Sequence, residues 1–381
     1  MGAETVQKSK RDTFVRPLVQ IGRYFRNRRR NRAAKAAYLL ARVLDPSNQV
    51  VKQELNQVRP RAEGLPEKIR FVMLGTAGGL CNASCVHCPT GKASTALSPR
   101  NPMPMPIYTR LIDDLFGYGL RVEQVSFGVF GDGLLDPFVV ERTKYLRQTL
   151  PEVFLSINTN GAAFDAKKHA ELNHYDVLIS LHCESLDEDA YNDLMRPLRA
   201  ERVFPKYEEI LRTFPGKVRV SVPVSKRNFS ELRALREWFL VRGAEDVVFD
   251  PLSSRCVEDR SVFDALALAP GPIACRSDIL GDLIVDCDGE VLLCCQDFSR
   301  KEPIGNLAQT TFVDVFRSAR RGQIRDLLDN GGHDKLSTCS KCYADARTEG
   351  FPFDHEARLR AEGVCVSDAA RARPSPKPLR D

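Results

Sequence analysis

The 381-residue sequence has no run of about 18 or more apolar residues, and it therefore predicts no transmembrane helix. Its first residues are polar and then basic, without the apolar stretch and small-residue cleavage site of a secretory signal. We therefore expect a cytoplasmic protein in a reducing compartment, where disulfides are rare. A hydrophobic content of 43% and a charged content of 28% are typical of globular proteins and exclude wholesale disorder.

Positive charge is concentrated near the N-terminus. The whole chain carries 56 Lys and Arg against 50 Asp and Glu, whereas residues 1–65 hold 15 basic and 5 acidic residues. Helical spacing in this segment predicts an apolar stripe beside an arginine-rich face, formed by Phe14, Leu18, Ile21 and Phe25. We expect either a helical cap on the main domain or an arm that contacts a protein or an anionic surface. The sequence has no basic segment with interleaved aromatic residues, and we therefore expect no nucleic-acid partner.

From residue 68 onward the sequence alternates between strand and helix patterns. Apolar segments predict six strands: Ile69–Leu74, Gln124–Gly128, Phe154–Asn158, Val177–Leu181, Val218–Val222 and Asp246–Phe249. The stretches between them have helical periodicity, which predicts a parallel sheet covered by helices. Six such units form an incomplete α/β barrel, whose active site lies at the carboxyl ends of the strands.

Three of the 12 cysteines follow the first predicted strand with the spacing C-x3-C-x2-C. The thiolates of Cys81, Cys85 and Cys88 could hold three irons of a cubane cluster and leave the fourth iron without a protein ligand. Structural zinc requires four ligands, and His87 stands so close to Cys88 that binding of one ion by both is awkward. The spacing therefore favours a reactive iron–sulfur site over structural zinc.

This segment resembles the signature of the radical S-adenosylmethionine (SAM) enzymes, C-x3-C-x-aromatic-C after the first strand of a barrel, with His87 at the aromatic position. The resemblance implies that SAM chelates the open iron of a [4Fe–4S] cluster. One-electron reduction then cleaves SAM to methionine and a 5′-deoxyadenosyl radical, which abstracts a hydrogen atom from the substrate. The resemblance also implies a reducing partner of the flavodoxin or ferredoxin type.

Other SAM-contacting motifs of that family have counterparts further along the chain. Residues 130–137 resemble the stretch Gly-Gly-Glu-Pro-Leu-Leu-x-Pro, but Asp132 replaces the Glu that accepts from the SAM amino group. Asn160 belongs to a Thr-Asn-Gly ending, and Arg196 could form a bidentate pair with the SAM carboxylate. The resemblance assigns SAM binding to six residues in all: His87, Gly131, Asp132, Asn160, Ser180 and Arg196.

A second group of cysteines surrounds a predicted hairpin whose turn is Asp288-Gly289. On spacing alone, one cysteine before the hairpin, a pair after it and a closing C-x2-C could bind structural zinc. The arrangement resembles the SPASM and twitch extensions of radical SAM enzymes, which implies an auxiliary [4Fe–4S] cluster instead. The implied ligands are Cys275, Cys294, Cys339 and Cys342, and Cys295 could replace Cys294.

Together these patterns predict an α/β protein. It is expected to be a partial (β/α)6 barrel with an N-terminal helical extension and a small C-terminal α+β domain that binds a cluster. The expected divisions are residues 1–65 for the basic extension, 66–270 for the radical SAM core, 271–350 for the auxiliary domain and 351–381 for a disordered tail.

The resemblance implies an oxidoreductase that uses SAM to remove hydrogen from its substrate, with the auxiliary cluster as electron acceptor. A small-molecule alcohol, cyclitol or amino sugar fits that chemistry, and maturation of a peptide or protein is the alternative within the family. A scaffold protein with zinc in both cysteine groups is the alternative from another class. Asp250, Arg255 and Cys256 follow the last predicted strand and are candidate substrate contacts at the barrel mouth.

Metal content separates these alternatives. After anaerobic reconstitution we expect about eight irons per chain, and about four in a variant with Cys81→Ala, Cys85→Ala and Cys88→Ala, because each cubane holds four. Assays of iron and acid-labile sulfide measure both values. Zinc in place of iron at both groups would instead indicate a structural protein.

Overall fold

The computed structural model describes residues 14–25, 31–45, 48, 50–51, 54, 64–90 and 98–361. Six parallel strands run in chain order through the barrel region: β1 (Lys68–Leu74), β2 (Arg121–Phe127), β3 (Phe154–Thr159), β4 (Leu178–His182), β5 (Val218–Val224) and β6 (Asp246–Pro251). Each strand pairs in parallel with the next, which confirms the predicted partial barrel.

Helices connect and cover these strands. They are α1 (14–25), α2 (Asn31–Leu44), α3 (Met105–Gly117), α4 (Val139–Thr149), α5 (Ala166–His169), α6 (Glu188–Leu194), α7 (Ala200–Thr213), α8 (Leu232–Val241), α9 (Ser261–Leu266), α10 (Phe312–Phe316), α11 (Ala319–Asp329) and α12 (Phe353–Ala361). The apolar faces of the helices between the barrel strands pack on the sheet; in α7, for example, Val203, Tyr207 and Ile210 are buried at helical spacing. Within the described part of the chain, no helix is both long and apolar enough to cross a bilayer.

The C-terminal region extends the same sheet. Strand β8 (Leu283–Val285) pairs in parallel with β1, β9 (Glu290–Leu292) pairs antiparallel with β8, and β10 (Pro303–Asn306) pairs with β9. The predicted hairpin between β8 and β9 is confirmed, and Gly289 in its turn has a φ of +85°, which glycine adopts without strain. The sheet order is β10-β9-β8-β1-β2-β3-β4-β5-β6, so β1 joins the two regions.

The two faces of the barrel strands differ in polarity. On β2 and β3, Val125, Phe127 and Ile157 are fully buried in the core shared with the helices. The alternate residues Ser126 and Ser156 line a space inside the barrel. Because successive side chains of a strand point to opposite faces, the apolar face stabilises the fold and leaves a polar interior.

The N-terminal helices form a cluster of their own, and its packing differs from the predicted stripe. Val15 of α1 is buried, whereas Phe14 is 66% exposed and Ile21 is 45% exposed. A Cβ atom on Gly22 would lie 2.1 Å from the Tyr38 ring of α2. The buried face of α1 therefore holds Val15, Val19 and Gly22, where α2 approaches closely. Leu18 and Phe25 of the predicted stripe pack against this cluster, whereas its other two residues are exposed.

Part of the expected disordered tail is helical, so that prediction is wrong for α12. Phe353 packs edge-on against Phe249 of β6, with ring centroids 5.8 Å apart. His355 is buried, and its Nε2 lies 3.0 Å from the carbonyl oxygen of Ala346. These contacts with the barrel order the helix. Cys365 and the rest of 362–381 lie outside the described residues.

A buried ion pair secures the loop between β2 and α4. The side chains of Arg142 and Asp136 are both 0% exposed, and Arg142 Nε donates to Asp136 Oδ2 at 2.7 Å. The guanidinium also donates to the Met103 carbonyl and lies over the Tyr108 ring. This loop carries the stretch that resembles a SAM-binding motif, so the pair fixes one wall of the site.

We expect Arg142→Met to lower the free energy of unfolding by about 3–5 kcal/mol, because it leaves the buried Asp136 carboxylate unpaired. Arg121→Met is the control: that side chain is 77% exposed, and its loss should change stability by less than about 0.5 kcal/mol. Denaturant unfolding of both variants measures the difference. If both variants lowered the free energy of unfolding by the same small amount, the stabilising role of the buried ion pair would be contradicted.

Candidate active site

The first cysteine loop follows β1 and is held from two sides. The Asp132 N–H donates to the Leu80 carbonyl at 2.8 Å, and the Val86 N–H donates to the last turn of α6 at 2.9 Å. Gly131 approaches the loop so closely that a Cβ atom there would lie 2.3 Å from the carbonyl oxygen of Gly78. The loop is therefore clamped between the segment after β2 and the end of α6.

The three cysteines of this loop are free thiols in a crowded, mostly buried place. Burial, reinforced by the Asp132 carboxylate, raises the pKa of Cys81 to about 12. Burial, Glu184 and the thiols of Cys88 and Cys81 raise the pKa of Cys85 well above its usual value. Three thiolates this close together require positive charge among them, and bound iron supplies it. The donor set therefore fits a cubane cluster held by three cysteines.

Asp132 is buried beside this loop, and its carboxylate has several partners. It accepts hydrogen bonds from the Asn160 N–H at 2.8 Å and from the Thr159 hydroxyl at 2.9 Å. Burial raises the pKa of Asp132, although these hydrogen bonds act in the opposite direction. The Asn160 side chain donates to Asn82 Oδ1 at 2.8 Å, and its Nδ2 lies 3.7 Å from Cys81 Sγ. Asp132 and Asn160 thus both border the first cysteine loop.

His87 is buried and faces Glu184. Its Nδ1 lies 3.5 Å from Glu184 Oε1, and His182 Nε2 lies 3.3 Å from the same oxygen. Burial alone would raise the pKa of Glu184, but His87, His182 and Arg255 outweigh it, and the pKa is lowered. Glu184 is therefore an anion shared by two imidazoles.

The last two predicted SAM contacts are placed differently. Ser180 lies on β4 and lines the barrel interior. The guanidinium of Arg196 pairs with Asp193, and its side chain is 62% exposed. Arg196 contacts the cysteine loop through its backbone carbonyl, which accepts from the Ser84 N–H. In this arrangement the Arg196 side chain would have to leave Asp193 in order to reach SAM.

The second cysteine group is assembled from separate segments of the C-terminal region. Cys294 and Cys295 follow β9, and Cys339 and Cys342 precede β11 (Tyr343–Asp345), which pairs with β7 (Pro270–Pro272) near Cys275. Burial raises the pKa of Cys294 well above its usual value and that of Cys339 to about 12, and neighbouring thiols add to both shifts. This donor set, like the first, fits an iron–sulfur cluster.

Cys256 joins this second group, although its sequence position suggested the barrel mouth. A hydrogen bond between the thiols of Cys256 and Cys342 lowers the pKa of Cys342. Arg255 and Cys256 both have a φ of 51°, which turns the chain after β6 toward the group. Ser254 fixes the turn: its hydroxyl donates to the Lys341 carbonyl at 2.8 Å and accepts from a backbone N–H of β11 at 3.1 Å. Cys256 is therefore removed from the candidates for direct substrate contact.

An apolar cluster connects the two cysteine groups. Its buried centre and the residues packed against it are Phe130, Ile284, Leu292, Phe298, Met73, Val129, Cys88 and Cys295. The Arg255 guanidinium lies over the Phe298 ring, 5.2 Å from its centroid. Its charge lowers the pKa of Glu184 near the first group and opposes the rise in the pKa of Cys295 that burial causes in the second. Arg255 therefore stands between the two groups.

A cavity of about 210 Å³ lies inside the barrel. Its walls are formed by Gln124, Ser126, Ser156, Asn158, Ser180, Arg219, Met73, Val129, Phe154 and Leu178. The hydroxyls of Ser126 and Ser156 lie 2.8 Å apart. Met73 and Val129 belong both to this wall and to the apolar cluster that contacts the cysteines. Met73 and Val129 thus lie between the cavity and the apolar cluster that Cys88 and Cys295 contact.

Sequence reasoning missed Glu184 and misplaced Cys256. For Glu184 the only signal is its place two residues after His182, in a polar segment where most carboxylates are solvated. For Cys256 the signal is that it is an additional cysteine upstream of Cys275. Neither signal indicates which residue is contacted, because His87 is distant in sequence from Glu184 and Cys342 is distant from Cys256.

Comparison with known proteins agrees with this geometry. Residues 275–343 match the family model of SPASM, an iron–sulfur cluster-binding domain. The chain is 20% identical over 272 residues to the S-adenosyl-L-methionine-dependent 2-deoxy-scyllo-inosamine dehydrogenase of Niallia circulans, a match that covers 69% of this chain and 88% of the relative.

Two solved structures share the fold. BtrN in complex with AdoMet and 2-DOIA has a TM-score of 0.51 at 17% identity, over 72% of this chain and 92% of that one. Native anSMEcpe with bound AdoMet has a TM-score of 0.52 at 13% identity, over 80% of this chain and all of that one. These matches support a radical SAM enzyme with a C-terminal SPASM-type domain, whose cofactors are SAM and [4Fe–4S] clusters.

The close approach at Gly131 gives a test of the first site. We expect Gly131→Ala to weaken SAM binding and lower first-cluster iron, because a Cβ would lie 2.3 Å from the Gly78 oxygen and 2.5 Å from the Leu80 oxygen. Gly281→Ala is the control, since a Cβ there meets nothing within 4 Å. Iron assays and equilibrium dialysis with SAM measure both effects. Full iron and normal SAM binding in Gly131→Ala would contradict the close packing.

Proposed function

We propose that the protein oxidises an alcohol group of a small polyhydroxylated molecule of the cyclitol or amino-sugar type. The observation that carries this proposal is the cavity inside the barrel, whose wall shares Met73 and Val129 with the apolar cluster that Cys88 and Cys295 contact. Branched apolar side chains fill the interior of closed α/β barrels. Here polar side chains of serine, asparagine, glutamine and arginine share the wall with Met73, Val129, Phe154 and Leu178. Such a mixed wall suits a ring that carries hydroxyls at its edge and C–H groups on its faces.

The size of the cavity favours a small molecule. At about 30 Å³ per water molecule, 210 Å³ holds roughly seven waters. A single cyclitol or sugar ring is of that order of size, whereas a peptide segment of several residues is larger. The similarity to an enzyme named for its action on 2-deoxy-scyllo-inosamine supports the same substrate class.

The cysteine groups would hold the clusters on either side of this cavity. Cys81, Cys85 and Cys88 are the proposed ligands of the first cluster, and Cys275, Cys294, Cys339 and Cys342 are those of the second. When bound, SAM and the clusters supply the radical that takes a hydrogen atom from the carbinol carbon and the acceptor for the remaining electron, so that C–OH becomes C=O with loss of one proton.

Arg255 and Asp250 are the proposed substrate contacts. Arg255 stands between the two cysteine groups, and its buried Nε has no hydrogen-bond partner within the structure. Asp250 lies at the end of β6, where its carboxylate accepts from the Ser221 hydroxyl at 2.5 Å. A guanidinium can orient a substrate oxygen, and a carboxylate can accept a hydroxyl proton or bind an amine.

The SAM-binding roles of Gly131, Asp132, Asn160, His87, Ser180 and Arg196 are part of the same proposal. The cytoplasm suits the protein, because its described cysteines are all free thiols. A flavodoxin- or ferredoxin-like protein would deliver the reducing electron. The basic N-terminal region is the proposed contact for a protein or an anionic surface.

The test is turnover under anaerobic, reducing conditions. Reconstituted protein with SAM and dithionite is incubated with aminocyclitols and amino sugars, and separately with cysteine- and serine-containing peptides. We expect one of the polyols to give a ketone in equal amount to 5′-deoxyadenosine, measured by mass spectrometry. Oxidation of a peptide but of no polyol would contradict the proposal and favour the peptide maturase.

Variants separate substrate binding from SAM cleavage. Arg255→Met should lose most of the ketone yet still form 5′-deoxyadenosine, because the residue contacts the substrate and not SAM. Arg121→Met, at an exposed site on the barrel, is the matched control and should behave as the wild type. Unchanged ketone formation in Arg255→Met would remove this residue from the site.

A further inference from the structure

Glu184 lies behind the first cysteine loop, in the segment that follows β4. Its side chain is 1% exposed, and its backbone carbonyl accepts from the Asn228 side chain at 2.6 Å. Its Oε1 is shared by His87 Nδ1 and His182 Nε2. The ligand atoms of Cys85, His182 and Glu184 all lie within 4.8 Å of one another. The carboxylate therefore sits at the centre of a group formed by β4 and the cysteine loop.

A carboxylate in this position is electrostatically costly. An ionised carboxylate is buried at low cost only when it is well paired and hydrogen-bonded. An apolar or amide side chain of the same size could fill this space without that cost. What distinguishes a glutamate here is its contact with two imidazoles, a hydrogen bond with His182 at 3.3 Å and a closest approach of His87 Nδ1 at 3.5 Å.

The two imidazoles occupy different positions around the loop. His87 immediately precedes Cys88, and its side chain is 2% exposed. His182 ends β4, is 26% exposed, and acts to lower the pKa of Asp132, so its ring lies near that second buried carboxylate. His182 Nε2 lies 3.3 Å from Glu184 Oε1, so Glu184 fixes the orientation of the partly exposed ring.

We propose that Glu184 is a positioning residue for SAM, which holds the rings of His87 and His182 so that they form one wall of the SAM pocket at the first cysteine loop. The proposal rests on the radical SAM assignment and is independent of the substrate proposed above. Without the carboxylate, two side chains must be ordered when SAM binds, and that ordering weakens the affinity.

The test is SAM binding by Glu184→Gln, which keeps the shape of the side chain and removes its charge. On the anaerobically reconstituted full chain, we expect about a tenfold rise in the dissociation constant for SAM, measured by equilibrium dialysis, with iron content unchanged. SAM binding changes the electron paramagnetic resonance signal of the reduced first cluster. We expect this change to need about tenfold more SAM in the variant than in the wild type. Neither readout needs the substrate, so failure of the proposed alcohol oxidation would leave this result interpretable.

Glu231→Gln is the matched control. Glu231 is also largely buried, but it accepts from the Leu186 N–H at 3.3 Å and the Asp187 N–H at 3.2 Å rather than from imidazoles. This variant should bind SAM as the wild type does. A double-variant cycle then tests the route: if Glu184 acts through His182, Glu184→Gln should add little to the effect of His182→Ala.

Three results would overturn the proposal. The first is an unchanged SAM affinity in Glu184→Gln. The second is an equal loss in Glu231→Gln, which would indicate general loosening of the loop after β4. The third is loss of first-cluster iron in Glu184→Gln, which would assign the residue to cluster assembly instead.

Discussion

Strand β1 pairs in parallel on both of its sides, and the positions of both cysteine groups depend on this double pairing. On one side it aligns with β2, up to Leu74↔Phe127, and on the other with β8, up to Leu74↔Val285. The end of β1 leads into the first cysteine loop, and the end of β2 leads to Asp132. Beyond β8 the hairpin returns to Cys294. Strand β1 therefore joins the barrel and the C-terminal region in one sheet, and antiparallel β9 carries the chain back along β8 toward Cys294, away from the end of β1 that leads into the first cysteine loop.

Metal binding would offset the electrostatic cost of forming thiolates in the two cysteine groups. Burial and mutual repulsion raise the pKa of Cys85 and Cys294, so neither group favours thiolates by itself. Iron reverses that balance, since it stabilises the thiolates that a buried apolar setting disfavours. Glu184 near one group and Arg255 between the two distribute fixed charge around them. The protein thus pairs desolvated cysteine groups with oriented charges, an arrangement suited to redox chemistry shielded from water.

The barrel strands divide stability and function between their two faces. The outward face, with residues such as Val125 and Ile157, packs against helices and supplies the apolar core. On the inward face, Ser126 and Ser156 stand where a closed barrel has branched apolar side chains, and a cavity remains there. Because the strand period is two, one segment can serve both purposes without conflict.

The sequence by itself determined the features that depend on neighbouring residues. Strand and helix periodicity, the loop from Cys81 to Cys88 and the Asp288-Gly289 hairpin are local patterns, and the strands and hairpin occur as predicted. Tertiary structure alone decided the pairing of Glu184 with His87, the contact of Cys256 with Cys342 and the buried face of α1. The first two depend on segments that meet only when β1, β4 and β6 align, and the third depends on the packing of α1 against α2. Local periodicity does not predict these contacts, because burial and close backbone approach depend on how the whole chain packs.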